Sequence, residues 1–200
     1  MSAYGSNEKA LVEVSPMSVG IHNDVEITKI EAVEIVNKVG KKFNLLDFTF
    51  ENAKGETHLH RLFNPDTETD PNKKAKKQVG VSNFVAYIAT KVNGKPCIFS
   101  GEGVESWEDF TTAAIELIGD GYLGKKFQVK LLGNVYKGKA SIVIPNYTGW
   151  IEPQESEKRL KFSPSEKKGN LEYKAFYETV QTSKPSAPSA DGVAEDELPF

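Results

Sequence analysis

"FNLLDFTFENAKGETHLHRLF", residues 43–63, decides how the chain folds. Leu46, Phe48 and Phe50 alternate with Asp47, Thr49 and Glu51, which is the period of a strand with one buried face. Ala53-Lys54-Gly55 supplies a turn, and "ETHLHRLF" alternates on the way back. The stretch reads as a β-hairpin.

On its N-terminal side, "DVEITKIEAVEIV" (24–36) mixes charges with Val and Ile. A helix and a strand both fit, and the β-branched content favours a long strand. Residues 1–20 have no pattern and read as a flexible arm. On the C-terminal side, Asn64-Pro65 and Asp70-Pro71 precede Lys73, Lys74, Lys76 and Lys77, so 64–80 reads as a polar loop with a basic cluster. Phe84, Tyr87, Ile88 and Val92 have helical spacing and predict a short amphipathic helix over 82–92. "KPCIFSG" reads as a brief strand with Cys97 packed in it. Ser106, with Asp109 three residues on, opens a second helix burying Trp107, Phe110, Ile115 and Ile118, and Gly119, Gly121 and Gly124 end it.

Residues 125–151 predict a second hairpin, with Phe127, Val129 and Leu131 on one face, Gln128 and Lys130 on the other, and a turn at Tyr136-Lys137-Gly138. "LEYKAFYETV" within 155–180 reads as a last strand. From Gln181 the chain turns to Ser, Pro, Ala and Gly, a disordered linker ending in "EDELPF". The expected architecture is mainly β: an OB-fold-like antiparallel barrel with short helical insertions over 21–180, between an arm (1–20) and a disordered acidic tail (181–200). The strand count also admits a small sandwich.

Composition narrows the function. A hydrophobic share of 38% suits a globular domain, and no apolar run approaches the roughly 20 residues of a membrane span. No signal-like start is visible, and a single cysteine excludes an internal disulfide, so the expectation is the cytoplasm. Residues 1–184 hold all 25 Lys and Arg against 24 of the 28 acids, and 185–200 hold four acids and no base. A basic stretch from Gly121 to Trp150 and an acidic tail point to polyanion contact. No phosphate-binding loop and no Gly-x-Ser-x-Gly elbow occurs. His58 and His60 share a strand face with Glu56, without the further ligands of a metal site. Neither catalytic residues, a metal nor a cofactor is expected.

Lysines interleaved with aromatics carry more information. Single-stranded nucleic acid is held by a positive groove for its backbone and by aromatic faces for its bases. The candidates are Lys41, Lys42, Phe43, Arg61, Lys73, Lys74, Lys76, Lys77, Lys130, Tyr136, Lys137, Lys139, Tyr147 and Trp150. The bland alternatives are solubility for the lysines and core packing for aromatics such as Trp150.

Asp196-Glu197-Leu198-Pro199-Phe200, after its linker and with Glu195 extending the acidic run, resembles the acidic tip of bacterial and bacteriophage single-stranded-DNA-binding proteins. Glu197 stands where that family has Asp, and Leu198 where it usually has Ile. The body looks more like the divergent phage versions. The resemblance implies an OB-fold that coats single-stranded DNA without strong sequence preference. It also implies a tip that recruits replication, recombination and repair proteins, the Phe200 ring and carboxylate entering a basic-edged pocket on the partner. The expectation is therefore a non-enzymatic protein, monomer or homodimer, in the host-cell cytoplasm. A strand-annealing recombination mediator, a protein-only replication adaptor and a metal-dependent nuclease are the rivals.

Overall fold

The structure is a computed structural model that describes residues 15–182. The expected tail, with Asp196, Glu197, Leu198, Pro199 and Phe200, lies outside the described residues, as does most of the expected arm. The described end of that arm is fastened: Met17 is buried and its N–H donates to the Thr57 carbonyl at 2.8 Å.

Residue type sets each strand. β1 (Gly20–Val36) is the long β-branched strand. β2 (Lys42–Glu51) and β3 (Thr57–Phe63) form the first hairpin, its turn closed by Gly55 at φ +76°. Phe48 faces His60 across it and Asp47 faces Arg61. β4 (Lys126–Tyr136) and β5 (Lys139–Val143) form the second hairpin around Lys137 and Gly138, both with positive φ. A short β6 (Ile151–Pro153) pairs with Phe127–Val129 of β4.

The sheet runs β3-β2-β1-β4-β5 with every strand pairing antiparallel. β1 gives its first half to β4 and its second half to β2. Between the halves, register shifts at His22–Val25 and Ile27–Lys29, with Asp24 at φ 54°, bulge the strand. The sheet does not close: no ladder joins β3 to β5 among the described residues. The fold is a mainly β, six-stranded antiparallel sheet with helices, and the expected barrel is corrected to a sheet that does not close.

Helices replace two other expectations, and one expected strand is coil. The basic loop is the start of α1 (Pro71–Asn93), because Asp70 caps it by accepting from the N–H groups of Asn72 and Lys73 and Pro71 needs no partner at the first position. α2 (Trp107–Ile118) has the expected Ser106–Asp109 capping box, but Ile115 faces outward. "KPCIFSG" has no strand partner and is coil, with Cys97 half-buried. The expected last strand is α3 (Pro164–Thr182). Ser163 and Glu166 cap it reciprocally: Glu166 N–H donates to Ser163 Oγ, and Ser163 N–H donates to Glu166 Oε2.

One core joins Phe48, Phe50, Phe127, Val129 and Leu131 of the sheet with Val85, Ile88 and Val92 of α1 and Phe110 and Ile118 of α2. The opposite face of β4 is covered as well. Gln128 and Lys130 are buried beneath the segment 158–163 and α3, and Lys130 Nζ donates to the Lys161 carbonyl at 3.3 Å. α3 comes so close that a Cβ on Gly133 would lie 2.4 Å from Tyr173 Cβ. The Gly133 N–H donates to Asn170 Oδ1 at 2.9 Å.

Candidate functional site

The open edge of the sheet forms a groove of about 860 Å³. β3 is one wall, the segment 144–150 is the other, and the middle of α1 is the floor. Alternation on β3 and the apolar stripe of α1 together build an aromatic ladder. His60 stacks on Phe84 at 4.5 Å and 19°, and Phe84 stacks on Trp150 at 5.2 Å and 13°. Phe48 meets Phe84 edge-on, and Phe50 meets Trp150 in the same way. Tyr87 fixes the far wall: its hydroxyl donates to the Ile151 carbonyl and accepts from the Gly149 N–H at 2.7 Å. Burial pushes the Tyr87 hydroxyl above its usual range. Phe63 and Tyr147, on opposite walls, are 56% and 48% exposed, and Lys130 Nζ lies 5.7 Å over the Tyr147 ring.

Burial lowers His60 to about 4, with His58 as a lesser cause; burial lowers His58 to about 4, with His22 as a lesser cause. At neutral pH both are uncharged, so His60 offers the groove an aromatic surface without a positive charge. Among the described residues no three His, Cys, Asp or Glu side chains are grouped to hold a metal.

The sequence candidates fall into four places. Arg61, Lys77, Tyr147 and Trp150 line the groove. Lys73, Lys74 and Lys76 stand on the first turns of α1. Lys41, Lys42 and Phe43 sit at the β1–β2 turn, where Lys41 lies 5.2 Å over the Phe43 ring. Tyr136, Lys137 and Lys139 sit at the β4–β5 turn, where Lys137 lies 5.3 Å over the Tyr136 ring. The two turns lie toward opposite ends of β1, since Val36 pairs with Lys42 and Gly20 with Leu131.

Two candidates are corrected. Trp150 is 1% exposed and belongs to the core, stacked under Phe84. Lys130 is buried and paired with Glu166 at 2.6 Å, where Tyr147 donates its hydroxyl to the same carboxylate. Burial raises Glu166, but Lys130, Tyr147 and Ser163 outweigh it and hold the carboxyl at about 2. Burial and then Glu166 push Tyr147 up to about 12.

Most of the α1 lysines already have anions. Lys73 pairs with Asp70 at 3.7 Å, Lys74 with Asp66 at 3.0 Å and Lys77 with Glu68 at 2.7 Å. Lys42 pairs with Glu34 at 2.9 Å. Lys41, Lys76, Lys137 and Lys139 have no ion pair among the described residues.

His60 and Phe84 are groove residues that the sequence reading did not select as nucleic-acid contacts. Their period placed Phe84 on an apolar helix face and His60 on a strand, but the gap they share arises only because the sheet stays open. Compared with models of known protein families and with curated proteins, the chain matches none.

Proposed function

We propose that this chain binds single-stranded DNA through an OB-fold-like body and engages partner proteins through its acidic tip. The observation that carries this reading is the groove, where an aromatic ladder lies between the exposed rings of Phe63 and Tyr147, with Arg61 at the rim. Such a surface suits unpaired bases, because stacking accepts every base while backbone charge supplies affinity. The chain order supports the fold reading: a three-strand meander, two helices, then a hairpin, with the first strand shared between β2 and β4. The unpaired lysines at the two hairpin turns extend the basic surface beyond the groove. In this reading the protein has no catalytic step. It covers exposed strands during replication, recombination or repair in the cytoplasm of a bacterial host. The Asp196–Phe200 tip recruits partner proteins.

The test is anisotropy of a fluorescent oligo-dT across a salt series, with duplex of equal length as control. The expected outcome is tight binding to the single strand, weak binding to duplex and a linear fall of log affinity with log salt. Phe63→Ala is expected to remove about 1–3 kcal/mol if it stacks one base. No binding of the single strand at low salt overturns the reading.

A further inference from the structure

The groove wall formed by residues 144–150 is coil, and its ends are pinned by the buried side chains of Ile144 and Trp150. Asn146, Tyr147 and Thr148 between them are exposed. Among the described residues, the Tyr147 hydroxyl makes the one hydrogen bond of residues 145–148. Its acceptor is Glu166 Oε1, in the first turn of α3. α3 supplies no residue to the groove lining, yet its capping carboxylate holds one that does.

Glu166 gathers donors from three places. Lys130 of β4 pairs with Oε1 at 2.6 Å, the Ser163 N–H ahead of α3 donates to Oε2, and Tyr147 reaches in from the wall. The Lys130 and Glu166 side chains are 5% and 6% exposed, so water competes little for the carboxylate. A hydrogen bond to a charged acceptor in such a dry site is stronger than one to a neutral acceptor in water. The ion pair and the helix cap already satisfy Glu166. What the third donor adds is a fixed place for the Tyr147 ring. Lys130 Nζ, 5.7 Å over that ring, occupies one of its faces, and a stacking base meets the other.

We infer that Glu166 is a positioning residue for the groove: by holding the Tyr147 hydroxyl it fixes the ring for stacking on a base of the bound strand. This rests on the proposed single-strand reading for the source of that base. The anchor itself stands on the Tyr147–Glu166–Lys130 geometry. A loop aromatic held in place before binding loses less freedom when a base stacks on it, so removing the anchor costs affinity even where the ring is kept.

The experiment uses the full chain and oligo-dT anisotropy. Tyr147→Phe keeps the ring and the Lys130–Glu166 pair and removes only the hydroxyl. It is expected to weaken binding roughly five-fold, against roughly twenty-fold for Tyr147→Ala, with the melting temperature nearly unchanged. Glu166→Gln is expected to weaken binding by a similar factor, and the double variant by little more than either alone, because both changes cut the same bond. Native-like affinity in Tyr147→Phe overturns the inference. So does an additive loss in the double variant, which would leave Glu166 a stabilising residue of α3 only. Should Glu166→Gln fail to fold, Tyr147→Phe decides alone. A second measurement needs no DNA. With tyrosine isotope-labelled at Cζ, Tyr147→Phe identifies the Tyr147 resonance among the 7 tyrosines. Glu166→Gln is expected to shift it, and a resonance that does not respond overturns the anchor. If the native protein ignores oligo-dT but Glu166→Gln still moves that resonance, the single-strand reading fails and the anchored ring stands.

Discussion

Asp47 on β2 and Lys130 on β4 are both charged residues on the outward face of an alternating strand, and both are buried. Their neighbours differ. Asp47 holds a partly exposed arginine on the next strand and keeps an orphaned oxygen. Lys130 lies under α3, with Glu166, the Lys161 carbonyl and the Tyr147 ring around it. One cluster fastens a helix with its charges matched; the other holds a partly exposed guanidinium and keeps one carboxylate oxygen unmatched. The alternation of a strand says which residues share a face. It does not say what will lie over that face.

The fastening role of the Lys130 cluster makes the largest prediction. Glu166→Ala leaves Lys130 buried without its anion and is expected to cost about 3–5 kcal/mol in urea unfolding, while the double change Lys130→Met, Glu166→Leu recovers most of the loss. The pH dependence has a definite sign. The carboxyl of Glu166 is lowered from 4.5 to about 2, so its stabilisation is complete above the ordinary value and is lost as pH falls through about 2. The stability difference between the native protein and Glu166→Ala should therefore be constant from neutrality down to about 4.5 and shrink below it. A difference that stays level down to pH 2 would mean that Glu166 is not the charged anchor of this cluster.

Gly133 tests the same contact from the backbone. A methyl group there meets Tyr173 at 2.4 Å, so α3 must shift off β4. Gly133→Ala is expected to cost about 1–3 kcal/mol, more than its higher strand propensity returns. Because Tyr147 is held by Glu166, the same variant should weaken oligo-dT binding as well. Loss of stability with no change in binding would separate α3 from the groove wall.

Local signals explain what was legible in the sequence. The first hairpin and α2 were readable because each carries a complete local code: period-two alternation with a Gly turn, and a Ser106–Asp109 box ahead of an apolar face. The start of α1 carried its code in Asp70-Pro71, but its first turns are lysines without an apolar stripe, which resemble a loop until Val81. α3 carried Ser163-Pro164-Ser165-Glu166 before a segment whose aromatics looked like a strand; its decisive contact is Tyr173 on Gly133, thirty to forty residues away along the chain. The groove was not legible as a unit. His60, Phe84 and Trp150 come from a strand, a helix and a loop, and only the failure of β3 to pair with β5 puts them around one space. Trp150 was an aromatic in a basic stretch, and composition alone does not separate a stacking platform from a core ring.

The smallest effects separate the lysines that sequence treats alike. Lys74 and Lys77 are engaged by Asp66 and Glu68, and hydrogen bonding from Lys77 holds the Glu68 carboxyl below its usual range. A phosphate reaching either lysine must displace a carboxylate that is already there. Lys137 and Lys139 at the β4–β5 turn face no such competitor among the described residues. Each of Lys137→Gln and Lys139→Gln is therefore expected to lower the log–log salt slope of oligo-dT binding by about 0.7, the amount for one phosphate contact on a single strand. Lys74→Gln and Lys77→Gln are expected to leave the slope nearly unchanged. Anisotropy titrations of the four variants over the same salt series give the comparison directly. A larger change at Lys74 and Lys77 than at the hairpin turn would place the strand's path along α1, with Asp66 and Glu68 acting as gates that the DNA must open.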